Sequence, residues 1–243
     1  MITLDPARKV DELNADWREQ SALQAINFAA KQKFPGRIAV TSSFGTESAV
    51  LLDLVSKIDT SIPILFLDTN KHFKATLEYR DTLSTHFGLK NIVILTASSA
   101  DLLTHDPDGI LYKSDTDKCC EIRKVSPLKK AINEYDAWIT GRKRYQNEDR
   151  EDMPIFEVGR GQKIKVNPLA NWNEGDIQTY MEAYNLPRHP LESQGYPSIG
   201  CEVCTSRVAA GEDSRAGRWR GSEKTECGIH ITADGRIVRE SSS

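Results

Sequence analysis

Short apolar runs rich in β-branched residues alternate with helical patterns over much of the chain, and this alternation restricts the fold more than any other feature. Arg37–Thr41 reads as a strand followed by a helix from Ser48 to Ile58. Ile62–Leu67 is a second strand with a helix over Phe73–Phe87, and Asn91–Leu95 is a third strand. A helix from Cys119 to Tyr135 then leads to a strand at Ala137–Thr140. Parallel neighbours need a long crossover, usually a helix, so strand–helix–strand order predicts an α/β fold: a twisted parallel sheet with helices on both faces. Before the first strand, Leu13, Trp17, Leu23, Ile26 and Phe28 recur at roughly helical spacing, so residues 1–35 form a helical lead-in closed by Pro35-Gly36.

Beyond the fourth strand the pattern changes. Ile155–Val158 and Lys163–Val166 flank Gly159-Arg160-Gly161 as a hairpin, and Asn173 caps a helix ending near Asn185. From Leu186 onward loops dominate, with a closing hairpin read through Ala233-Asp234-Gly235. The expected organisation is one domain over 1–205 and a tail over 206–243. Thirty-two Lys and Arg against 35 Asp and Glu leave a net charge of −3, which argues against a dedicated nucleic-acid binder and makes any anion site local. No apolar run reaches the roughly 18 residues of a membrane span, and the charged amino terminus lacks the apolar stretch of an export signal. A cytoplasmic location without membrane partners is expected. Five cysteines in a reducing compartment then need an explanation other than disulfides.

Two strand ends carry polar loops. Ser42-Ser43-Phe44-Gly45-Thr46-Glu47-Ser48 lies between a strand and a helix, where hydroxyls and free helix N–H groups suit either an anion or a plain N-cap. Leu67-Asp68-Thr69 ends the second strand at the same sheet edge, where open α/β sheets bind ligands. Neither the P-loop pattern nor the Rossmann glycine pattern occurs. Cys119-Cys120 and Cys201-Glu202-Val203-Cys204 supply two close thiol pairs, suited to tetrahedral zinc or to an iron–sulfur cluster; the adjacent pair favours the cluster. Cys227 stands apart in Glu226-Cys227-Gly228-Ile229-His230, as a nucleophile or an idle thiol. Basic residues gather at Arg123-Lys124, at Arg142-Lys143-Arg144 with Arg150, and at Arg215, Arg218 and Arg220.

Taken together, S-S-F-G-x-E, L-D-T, C-C-x-x-R-K-x-x-P-L at Cys119–Leu128, G-x-x-R-x-Q at Gly141–Gln146, C-x-x-C, G-E-D-x-R-A-G-R-W at Gly211–Trp219 and E-C-G-I-H occur in an order and spacing that resemble the phosphoadenylyl-sulfate reductase family, in its assimilatory adenylyl-sulfate branch. The resemblance implies an adenine nucleotide α-hydrolase-like fold, of the PP-loop type. It also implies reduction of adenosine 5′-phosphosulfate (APS) to sulfite and AMP, through an S-sulfocysteine on Cys227 that thioredoxin or a glutaredoxin-like dithiol discharges. Cys119, Cys120, Cys201 and Cys204 would hold a [4Fe–4S] cluster, a feature of family members that prefer APS to its 3′-phosphorylated form. Lys124 would lie between cluster and substrate, and His230 would assist the thiol. Ser42, Ser43, Phe44, Gly45, Leu67 and Thr69 would hold the adenosine; Arg123, Gly141, Arg144, Arg150, Arg215 and Arg218 would complete the substrate site. Asn70 stands where the family often has glycine, and Lys143 where it often has arginine. Three other readings stay open: a 3′-phosphoadenylyl-sulfate reductase, a non-catalytic iron–sulfur redox sensor, and an RNA-modifying relative of the same fold. Self-association is also open.

Overall fold

The computed structural model describes residues 6–17, 21–146 and 148–222, with positions 224, 226 and 228. Among the described residues six strands form one sheet: β1 (Ile38–Thr41), β2 (Ile64–Leu67), β3 (Ile92–Leu95), β4 (Ala137–Ile139), β5 (Phe156–Val158) and β6 (Ile164–Val166). Their order across the sheet is β3-β2-β1-β4-β6-β5. Every neighbouring pair is parallel except β5 with β6, the expected hairpin.

The helices are α1 (Pro6–Trp17), α2 (Ala22–Asn27), α3 (Ser48–Ser56), α4 (Lys74–His86), α5 (Ser99–His105), α6 (Leu111–Ser114), α7 (Thr116–Cys120), α8 (Ser126–Ile132) and α9 (Glu174–Ala183). Strand periodicity sorts the core into two layers. Ile38, Val40, Ile64, Phe66, Ala137 and Ile139 face the large cluster that includes residues of α1, α2, α3, α4 and α9. Their alternate neighbours Ala39, Leu65, Leu67 and Trp138 pack with Leu128 and Ile132 of α8. Helices therefore cover both faces, as the alternating pattern requires. Asn173 caps α9 through a reciprocal box with Asp176. Among the described residues no helix is long and apolar enough to cross a membrane.

Three local features depart from the sequence reading. The expected helix over Cys119–Tyr135 starts earlier, at Thr116, and is interrupted by a π-helical turn at Glu121–Val125 before α8. A second π turn, Phe28–Lys33, extends α2. Helices α5 and α6 lie where no helix is expected, because their segments are short and none of their side chains is buried, so no apolar stripe marks them. The hairpin at Ala233-Asp234-Gly235 lies outside the described residues.

At the β5–β6 hairpin, a Cβ at Gly159 would collide with the indole of Trp138, which lies on β4 and is buried in the α8 layer. Gly159→Ala is expected to cost about 1–3 kcal/mol of stability, as overpacking does in a closed site. A shift in the urea unfolding midpoint at constant slope measures this; an unchanged midpoint would show that the indole moves aside freely.

Candidate functional site at the switch point of the sheet

From β1 the chain proceeds to β2 and β3 on one side, whereas β4 pairs with the other edge of β1. The loops leaving β1 and β4 therefore diverge, and a crevice opens at the carboxyl ends of the strands. A cavity of about 300 Å³ lies there. Ser42, Ser43 and Gly45 line it from the loop after β1, Leu67 from the end of β2, and Gly141 from the end of β4. Lys124, Arg150, Arg215 and Arg218 bring cationic groups to the same cavity. Nine of the sequence-derived site residues thus meet in one place.

Four others do not line it. Phe44 adopts a left-handed backbone (φ 50°), and its ring is buried against Phe66 with centroids 5.4 Å apart. The turn that sends Ser42, Ser43 and Gly45 to the cavity sends Phe44 into the core. Thr69 is buried, its hydroxyl 3.2 Å from Cys201 Sγ. Arg123 pairs with Asp106 at 2.5 Å and donates to the Thr69 carbonyl at 2.9 Å, so its guanidinium joins the strand end to the helix. Arg144 points away and donates to the Met153 carbonyl at 2.8 Å. Cys227 and His230 lie outside the described residues.

The cavity is crowded with cations. Burial lowers the pKa of Arg150; Arg215 and Arg142 lower it further, and Glu226 opposes them. Such mutual repulsion is relieved by a bound anion. Arg150 Nη2 contacts Glu226, and Lys224 contacts Asp117, so side chains one and three residues before Cys227 reach Arg150 and α7. Of the cavity residues that sequence reasoning did not assign to the site, two bear directly on its cations. Arg142 lines the cavity while paired with Glu157 and 3.1 Å from Asn167. Gly200 also lines it, and a Cβ there would strike the Arg218 guanidinium, so glycine makes the seat for that arginine. Arg142 fills an unspecified position of the Gly141–Gln146 motif, Gly200 lies outside every quoted motif, and the Gly200–Arg218 approach joins positions 18 residues apart.

The cysteines flank this cavity. Cys119 and Cys120 end α7, and the π turn that follows presents Lys124 to the cavity. Cys201 bridges to His72, and Cys204 follows one short turn later. All four are free thiols, and Cys119, Cys120 and Cys201 are buried. Burial raises the Cys119 pKa; Arg123 opposes this, while Cys201, Asp106 and Cys204 add to it. Cys204 is likewise raised by burial and by Cys201 and Cys120. The two pairs therefore lie within electrostatic reach of each other. Among the described residues no three His, Cys, Asp or Glu side chains converge tightly enough to grip a metal ion. Trp219 Nε1 is buried with no hydrogen-bond partner among the described residues, and the Trp219 backbone N–H donates to the Cys204 carbonyl at 3.0 Å.

Comparison with known proteins agrees with this architecture. A curated adenosine 5′-phosphosulfate reductase of Chelativorans sp. is 48% identical over 229 residues, 94% of this chain and 93% of its own. The crystal structure of a phosphoadenylyl-sulfate reductase from Candida auris superposes with a TM-score of 0.69 at 28% identity, covering 82% of this chain and 96% of that one. The fold alone is shared with an FMN adenylyltransferase of Candida glabrata, at a TM-score of 0.54 and 15% identity over 91% of this chain and 84% of that one. The pattern described as the phosphoadenosine phosphosulfate reductase domain matches residues 37–207, and the chain belongs to that family.

Proposed function

We propose that this protein is an adenylyl-sulfate reductase that converts APS to sulfite and AMP, using thioredoxin or a glutaredoxin-like dithiol as reductant. The observation that carries this reading is the convergence of Lys124, Arg150, Arg215 and Arg218 on a nucleotide-sized cavity at the switch point. The relatives named as APS reductases cover nearly the whole chain, which favours APS over its 3′-phosphorylated analogue. A non-catalytic redox sensor would leave the cationic cavity without a role.

In this reading the Cys227 thiolate attacks the sulfur of the phosphosulfate, the bond from that sulfur to the bridging oxygen breaks, and AMP leaves with the electron pair. Thiolate and substrate are both anions, so Arg150, Arg215 and Arg218 offset their repulsion and stabilise charge on the departing phosphate. His230 assists at the thiol. A dithiol then attacks Cys227 Sγ, sulfite departs with the S–S electron pair, and the second thiol of the donor resolves the mixed disulfide. The two electrons come from the dithiol, and Cys227 returns to its thiol. Ser42, Ser43, Gly45 and Leu67 hold the adenosine.

Cys119, Cys120, Cys201 and Cys204 would hold a [4Fe–4S] cluster, the donor set being four free thiols in two pairs within electrostatic reach of each other. Bound there, it would supply a fixed charge and a structural anchor beside Lys124. The 206–243 segment acts as the tail that brings the nucleophile to the domain formed by residues 1–205.

Incubation with APS in the absence of reductant is expected to release AMP and leave one sulfonate on Cys227, seen by peptide mass spectrometry; Cys227→Ser should bind nucleotide without forming the adduct. An adduct on one of the four paired cysteines would overturn the assignment of nucleophile and ligands together. Arg218→Ala is expected to lower kcat/KM by about tenfold or more, roughly 1.4 kcal/mol; unchanged kinetics would place Arg218 outside the reaction. Anaerobically purified protein is expected to contain about four irons per chain. Stoichiometric zinc without iron would refute the cluster.

A further inference from the structure

Two motif residues have no role in the reaction as drawn: Glu47, the acid of the loop after β1, and Gln146, which ends the basic segment after β4. In the fold they meet. Glu47 accepts from Lys143 Nζ at 2.6 Å, from the Tyr145 hydroxyl at 2.5 Å and from Gln146 Nε2 at 2.9 Å. Burial would push the Glu47 carboxyl up, but these three donors outweigh it and hold the group below its ordinary range. Lys143 is buried, with 3% of its side chain exposed, so the pair is nearly charge-neutral at the rim of an anion pocket. A carboxylate can stand there only because Lys143 cancels it. This also accounts for lysine at position 143: its ammonium is turned to Glu47.

The relay continues. A side-chain amide offers a donor on one side and an acceptor on the other. With Gln146 Nε2 held by Glu47, Gln146 Oε1 faces the other way and accepts from Arg150 Nη1 and from the Lys143 backbone N–H at 3.2 Å. A flipped amide would present donors to Arg150 instead. Arg150 Nε, in turn, is buried and has no partner among the described residues.

We propose that Glu47 is a positioning residue: through Gln146 it sets the guanidinium of Arg150 for the phosphate of the substrate. The inference rests on the reading of the cavity as an APS site, and it gives the loops after β1 and β4 a shared task. Glu47 and Gln146 act in series on one arginine, so loss of either should have the same consequence as loss of both.

Calorimetry with AMP and adenosine as probes tests this on the full chain. Gln146→Leu leaves the Lys143–Glu47 pair in place but removes the relay; it should weaken AMP binding about fivefold or more and leave adenosine binding unchanged. Glu47→Gln should show the same selective loss, and the double variant should be no worse than the weaker single one. A merely structural role would lower the unfolding midpoint without changing the ratio of AMP to adenosine affinity. If Glu47→Gln does not fold, Gln146→Leu decides the matter alone. An unchanged ratio in Gln146→Leu, or multiplicative losses in the double variant, would overturn the relay while leaving the site assignment standing. Failure of the unaltered protein to bind either probe would overturn the site reading itself, and the relay with it.

Discussion

The parallel pairing of β1 with β4 is the constraint on which the rest depends. Val40 lies opposite Ile139 across that pair, so both strands end at one edge and their loops leave in different directions. Polar side chains of the loops leaving β1 and β4 then face a common gap. Removing either partner of the Glu47–Lys143 pair that spans the gap would strand a buried charge, a loss typically of about 3–5 kcal/mol. The pair lines the crevice without contributing net charge to it.

Charge is concentrated in the cations that share the cavity with this neutral pair. Arg150 and Lys124 are almost wholly buried, and Arg142 and Arg215 press on Arg150 electrostatically. Water screens such groups poorly, so their attraction for an anion exceeds what a surface cluster of equal charge would exert. Not every arginine in the basic motifs shares in this. Arg123, neutralised by Asp106, and Arg144, turned to a carbonyl, stabilise the frame that holds the others.

Helical irregularity performs the corresponding task for the cysteine region. The π turn over Glu121–Val125 follows the Cys119–Cys120 pair directly and alters the angular spacing of the residues behind it. Arg123 accordingly faces Asp106, while its neighbour Lys124 reaches the cavity. Gly200 seats the Arg218 guanidinium in the residue before Cys201, so cationic and thiol groups are interleaved along the same wall.

The sequence by itself determined the alternating order of strands and helices, the hairpin around Gly159-Arg160-Gly161, the Asn173 cap and the family, because each depends on periodicity, turn chemistry or motif spacing within a local window. It also marked most of the cavity wall, since strand ends and their loops meet at one edge whenever the sheet is parallel. Tertiary structure alone decided which motif residues face the cavity. Phe44 and Thr69 sit in the same motifs as Ser43 and Leu67, yet the first fills the core and the second meets Cys201. A single left-handed residue or one π turn reverses the direction of a side chain without changing the motif that contains it. The contacts of Glu47 with Gln146 and of Gly200 with Arg218 were likewise invisible in the linear order, because they form only when separate loops are brought together by the sheet.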